Sequence, residues 1–160
     1  MRLSTRGRYA VMAMVELAAR QSRGPQPLPG KTAPPVSLAE IAASQMLSLA
    51  YLEQLFGPLR RAGLVASARG PGGGYRLARP AAQIAVADIV DAVDEPLKAT
   101  RCEEGSPGCL DGRRCLTHDL WTELGEQIRI FLEGVTLADV AEGRVAGRAL
   151  RPQRHEALAP

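Results

Sequence analysis

Cysteine, histidine and aromatic residues are scarce in this 160-residue chain. It holds three cysteines and two histidines, and aromatics make up 4% of it. So few aromatics leave the core to aliphatic side chains. The histidines are His118 and His155, the second in a biased C-terminal stretch, so no hydrolase constellation can be assembled and an enzyme is not expected. An odd cysteine count without a secretory leader argues against a disulfide framework and for the reducing cytoplasm. No apolar run approaches the roughly 20 residues of a membrane span, so no membrane partner is expected. The glycine-rich RGPGGG of Arg69–Gly74 lacks the strand–glycine–helix order of a dinucleotide fingerprint.

Acidic residues are also scarce, but only in one half. Residues 1–80 carry 11 Lys and Arg against 3 Asp and Glu, a balance of +8, whereas residues 81–160 carry 9 against 14, a balance of −5. The first half looks built to meet a polyanion.

All three cysteines and His118 fall between Arg101 and His118. The gaps between Cys102, Cys109, Cys115 and His118 are six, five and two residues, and three glycines and a proline lie between the outer cysteines. Nothing in that stretch can build a core. Thiolates and imidazole suit zinc, copper(I) or iron–sulfur centres rather than magnesium or calcium. Zinc fingers usually use gaps of roughly two to four residues, so the wider gaps suit a polynuclear cluster better, with a Cys3His zinc site as the alternative. Unpaired thiols beside a helix-starting histidine are the plain reading.

Taken in order, residues 3–20 read as a helix with Ala10, Ala13, Met14, Leu17 and Ala18 on one face, capped by Ser4 or Thr5. Arg2, Arg6 and Arg8 cluster at its start, placed to reach phosphates. Residues 23–35, with five prolines, read as an exposed loop. Ser37 and Glu40 form a capping box, stapled by Val36 and Ile41, on a helix reaching about Ser44. Gln45–Leu47 makes a turn, and Ser48 caps a second helix stapled by Leu47 and Leu52. Leu52, Leu55, Phe56 and Leu59 form its buried face. Ser48, Ala50, Tyr51, Glu53 and Gln54 point outward. This is a helix-turn-helix arrangement. Pro58 is expected to kink the second helix, and Gly63 to end it.

Leu64–Ala68 and Tyr75–Leu77 read as strands of a hairpin directly after the recognition helix, that is, a wing. Gly72 and Gly73 permit positive φ or close backbone approach. Arg69 and Arg76 are placed to enter a minor groove or hold phosphates. Val86–Val93 reads as a short helix with Ile89, Val90 and Val93 inward. Thr117 is expected to cap a helix running to about Glu133, with Leu120, Trp121, Leu124, Ile128, Phe131 and Leu132 in one apolar stripe. That stripe is expected to pair with a second protomer, since a homodimer matches a palindromic site. Leu137–Val140 reads as a short helical tail, and the composition after Gly143 suggests disorder. The expected fold is mainly α with a small β-hairpin wing: a winged helix-turn-helix over 1–80, a cluster loop and dimerisation helix over 81–142, and a tail over 143–160.

RLSTRGRYAVMAM near the start, SLAYLEQLFGPLRRAGLV, the wing RGPGGGYRL, IAVADIVDAVDE and ATRC…C…CLTH together resemble the IscR-type iron–sulfur cluster-binding transcriptional regulators of bacteria. The resemblance covers roughly residues 1–140. It implies a dimeric winged-helix repressor of cluster-assembly genes, with a 2Fe–2S cluster on Cys102, Cys109, Cys115 and His118, supplied by the iron–sulfur assembly machinery. It also implies a clusterless form that binds another class of site. The six-residue first gap is one longer than in better-known members. A sister group that senses nitric oxide has a related three-cysteine loop, but the histidine of CLTH favours the cluster regulators.

On this reading Tyr51, Glu53 and Gln54 are the candidates for base edges, because Gln can bond adenine bidentately and Glu can accept from cytosine N4. Arg2, Arg60, Arg61 and Arg69 supply salt-dependent, sequence-neutral affinity. The other readings are a nitric-oxide- or iron-responsive regulator of the same fold, a zinc-stabilised winged-helix protein, and an electron carrier.

Overall fold

In the computed structural model, residues 5–24, 32–93 and 115–147 are described. Helix α1 (Thr5–Arg23) is the central element, burying Ala10, Ala13, Met14, Leu17 and Ala18. It runs three residues beyond the expected end. The Pro-rich stretch 25–31, Ser4, and residues 94–114 and 148–160 lie outside the described residues.

Helices α2 (Leu38–Gln45) and α3 (Leu49–Arg61) pack on α1 and on each other. The capping box of α2 is complete: Ser37 Oγ accepts from the Glu40 N–H, and the Glu40 carboxylate accepts from the Ser37 N–H. Ser48 Oγ accepts from the Tyr51 N–H at 3.1 Å and starts α3. Between them Met46 sits in the left-handed region (φ 52°) and donates to the Ala42 carbonyl, closing the turn. Helix α3 continues through Pro58 to Arg61, with Leu52, Leu55, Phe56 and Leu59 buried.

Strands β1 (Val65–Ala68) and β2 (Gly74–Leu77) form the antiparallel wing, in register Val65–Leu77 to Ala68–Gly74. Three contacts dock it. Val36 and Tyr75 exchange backbone hydrogen bonds of 2.8 Å. The Phe56 and Tyr75 rings meet edge-on, 4.8 Å between centroids. Gln21 Oε1 accepts from the Leu77 N–H. Gly74 is required here, because a Cβ would run into the Val36 carbonyl.

After a 3-10 turn at Ala81–Gln83 come α4 (Val86–Ala92), α5 (His118–Glu133) and α6 (Leu137–Ala141). The core crosses residue 80: Ile84, Ile89, Val93 and Leu137 belong to the same buried cluster as Met14 and Phe56. Leu137 is fully buried and α6 packs on α1, so Leu137–Val140 is an anchor rather than a loose tail. The physical reason is a short bridge, in which Val86 donates to the Val135 carbonyl and Leu137 to the Ile84 carbonyl. Residues 143–147 form turns, and Arg144 pairs there with the buried Asp139.

Candidate nucleic-acid interface and metal-ligand loop

The exposed face of α3 carries Ser48, Glu53 and Gln54. Ser48 is occupied as the N-cap. Tyr51 does not simply point outward: it is half-buried against the core, its ring edge-on to Tyr9 of α1 with centroids 5.9 Å apart. The π-edge contact orients the ring and leaves it only partly available to a base. Glu53 and Gln54 are exposed.

Cations lie on α3 and on the elements packed against it. Arg6 and Arg8 on α1, Arg60 and Arg61 in the last turn of α3, and Arg69 at the wing tip are exposed. Arg76 is half-buried within β2, opposite Ala66. Arg8, Arg60, Arg61, Arg69 and Arg76 take part in no ion pair among the described residues. Their charge is uncommitted, as contacts to a phosphate backbone require. Gly72 (φ 73°) forms the wing turn, and Gly73 donates to the Gly70 carbonyl within it. Arg2 lies outside the described residues.

Two anchoring residues escaped the sequence reading. Glu16 on α1 accepts from Arg20 Nε at 2.6 Å, Ser44 Oγ at 2.9 Å and Gln45 Nε2 at 3.2 Å, tying the end of α2 to α1. Burial pushes its carboxyl up, but the bonds from Ser44, Arg20 and Gln45 together outweigh burial and hold it below the ordinary range. The Glu40 carboxyl is likewise held low, chiefly by the Ser37 hydroxyl and backbone N–H. Gln21, which holds β2, is the second. The i,i+4 spacing of Glu16 and Arg20 is the one sequence signal that points to the clamp.

Of the metal-ligand candidates, Cys115 and His118 are described; Cys102 and Cys109 lie outside the described residues. Cys115 and His118 sit together at the entry to α5, where the His118 N–H donates to the Cys115 carbonyl at 3.0 Å. Thr117 occupies the N-cap position but makes no side-chain cap bond; its Oγ1 lies 3.5 Å from Cys115 Sγ instead. The φ of −96° and ψ of 5° at Thr117 are not the extended geometry a capping hydroxyl needs. His118 Nδ1 is buried and makes no hydrogen bond among the described residues. A thiol and an imidazole at one helix start, with that nitrogen unpartnered, fit a soft-metal or cluster site.

Helix α5 buries none of its residues. Leu120 is 61% exposed, Trp121 42%, Leu124 36% and Phe131 40%. The expected stripe divides: Ile128 is half-buried, and Leu132 packs against Val86, Val90 and Val135. Ile130, outside that stripe, is also open to solvent.

A short helix, a left-handed turn, a second helix and a docked hairpin define a winged helix-turn-helix, a DNA-binding class. Comparison with known proteins narrows the class. Residues 3–143 match the model of the Rrf2 family, described as iron-dependent transcriptional regulators. The chain belongs to that family, and is a transcriptional regulator rather than an enzyme. It is 50% identical over 144 residues to the HTH-type transcriptional regulator IscR of Serratia proteamaculans, covering 90% of this chain and 81% of that one. The T. potens IscR structure matches at TM-score 0.67 and 34% identity, over 94% of this chain and 93% of that one. CymR, titled the global cysteine regulator of B. subtilis, matches at TM-score 0.70 and 34% identity, over 89% and 98%. No helix among the described residues is long and apolar enough to cross a membrane.

Proposed function

We propose that this regulator acts in the cytoplasm as a homodimer on double-stranded DNA, chiefly as a repressor of iron–sulfur assembly genes. Its input is a 2Fe–2S cluster on Cys102, Cys109, Cys115 and His118, received from the assembly machinery. The observation that carries the reading is the entry of α5. There a thiol and an imidazole, its buried Nδ1 without a hydrogen bond among the described residues, begin a helix whose apolar face is largely exposed. The fold alone does not select the input, since a relative titled as a cysteine regulator shares it. The CLTH sequence and the two cysteines before it are what favour a cluster.

A bound cluster would supply a redox- and supply-sensitive link, with one imidazole in place of a thiolate raising its potential. The chain's own residues do the rest. Cys102, Cys109, Cys115 and His118 would hold the cluster, and would thereby join that stretch of chain to the first turn of α5. The other end of α5 leads through Gly134 to Val135, which packs on Val86 and Val90 of α4. Helix α4 packs on α1, which carries the helix-turn-helix. The open face of Leu120, Leu124 and Phe131 covers its counterpart in a second protomer, and the two α3 helices then address two half-sites one DNA turn apart. Glu53 and Gln54 read base edges, and Arg2, Arg6, Arg8, Arg60, Arg61, Arg69 and Arg76 hold phosphates, with the backbone at Gly72 and Gly73 approaching closely.

The test is anaerobic purification followed by a visible spectrum and assays of iron, zinc and acid-labile sulfide. The expected result is a coloured protein with about two iron and two sulfide per protomer, as a 2Fe–2S centre requires. Cys115→Ala should lose both colour and sulfide. A colourless protein holding one zinc would overturn the cluster reading and leave a zinc-stapled DNA-binding protein.

A further inference from the structure

Met46 is 93% exposed and Leu49 is 43% exposed, although both are large apolar residues in the heart of the helix-turn-helix. The core does not need them: α3 already fills it with Leu52, Leu55, Phe56 and Leu59. Neither is a residue on a loose segment. Met46 is held left-handed by its bond to the Ala42 carbonyl, and Leu47 beside it is half-buried against the core. Leu49 is the first residue of α3, directly after the Ser48 cap. Local geometry therefore presents two apolar side chains on either side of that cap, at the leading end of the recognition helix. Leu49 lies one turn before the exposed Glu53.

We infer that Met46 and Leu49 form an apolar edge that reads thymine C5-methyl groups in the major groove. The inference rests on the DNA-binding reading above and adds a base preference to it. A thymine methyl is the one apolar group a base pair offers in that groove, and apolar side chains recognise it by burying it. The occupant follows from continuity: the edge is contiguous with the exposed helix face that carries Glu53 and Gln54. The hydrogen-bonded turn means that little backbone freedom is lost on binding. One helical turn is about 5.4 Å, and base pairs stack about 3.4 Å apart, so the thymine and the base facing Glu53 lie one to two steps apart.

The probe is a duplex enriched by the wild-type chain from a random-sequence pool, remade with deoxyuridine replacing thymine one position at a time. Deoxyuridine removes the methyl and keeps every hydrogen-bonding group. At the thymines that Leu49 faces, affinity should fall roughly three- to fivefold, the worth of one buried methyl. Leu49→Ala should lose a similar factor on the thymine duplex and show no further loss on the deoxyuridine duplex, the signature of a direct pair in a double-mutant cycle. The wild-type measurement needs no variant, so folding does not confound it. Equal binding to thymine and deoxyuridine duplexes at every position would overturn the inference while leaving the regulator reading intact. Failure to enrich any duplex would overturn the DNA-binding reading, and the inference with it.

Discussion

Helices α3 and α5 are written alike and treated differently by the fold. Both are amphipathic, and each carries a leucine-rich stripe with a phenylalanine in it. Helix α3 places Leu52, Leu55, Phe56 and Leu59 in the core at 1% exposure or less, whereas no residue of α5 is fully buried. The difference is one of neighbours. Helix α3 is enclosed by α1, α2, α4 and the wing, while among the described elements α5 lies chiefly on α4. Amphipathic spacing says that a face wants cover; it does not say whether the cover comes from the same chain.

The sharpest way to break the comparison is to truncate inside α3. Phe56→Ala should cost about 3–5 kcal/mol, because it removes a fully buried ring and its edge contact with Tyr75. Urea unfolding followed by circular dichroism measures it. A loss under 1 kcal/mol would mean that the Phe56 ring is not packed in the core as described. Gly74→Ala comes next, at about 1–3 kcal/mol from the collision with the Val36 carbonyl. It should also weaken DNA binding by undocking the wing. Glu16→Ala follows at about 1–2 kcal/mol, through the bonds it strips from Ser44 and Gln45.

Glu16 also makes a pH prediction. Its folded carboxyl lies below the ordinary value of 4.5, so it binds its proton more readily in the unfolded chain. The stability it contributes is full above that value and is lost as pH falls through the lower folded value. Glu40 acts in the same direction. Stability measured from pH 7 downward should hold steady from this source until about pH 5 and decline below it, and Glu16→Gln should flatten part of that decline. An unchanged acid limb in the variant would remove Glu16 from the account.

The smallest stability effect is expected on α5. Leu124→Glu should change protomer stability by no more than about 0.5 kcal/mol, as an exposed site does. Sedimentation should nevertheless show a lower mass than wild type at the same concentration. A variant that remains dimeric would refute the role given to the open face, and one that unfolds would show that α5 is buried in its own protomer.

Much of the site was legible beforehand where its causes are local. The Ser37–Glu40 box, the Ser48 cap and the wing turn arise from contacts within a few residues, and the buried faces of α1 and α3 show in their helical periodicity. Thr117 shows the limit, since its residue type suits a cap but its backbone does not adopt the geometry. Helical spacing points Tyr51 outward, but it is half-buried against Tyr9, 42 residues away in the chain. Leu137–Val140 looked like a tail because its cover, α1, comes from the other end of the chain.

The sequence by itself determined the capped starts of α2 and α3, the hairpin turn, the basic half and the run of soft-ligand residue types. Those depend on capping, on periodicity and on which atoms a side chain carries. The tertiary structure alone decided that Glu16 clamps Ser44 and Gln45, that Val36 and Gln21 hold the wing, and that Val135 and Leu137 anchor the far end of α5. It also decided which apolar residues remain in water. Such facts depend on which distant segments meet, and that is settled only when the whole core closes at once.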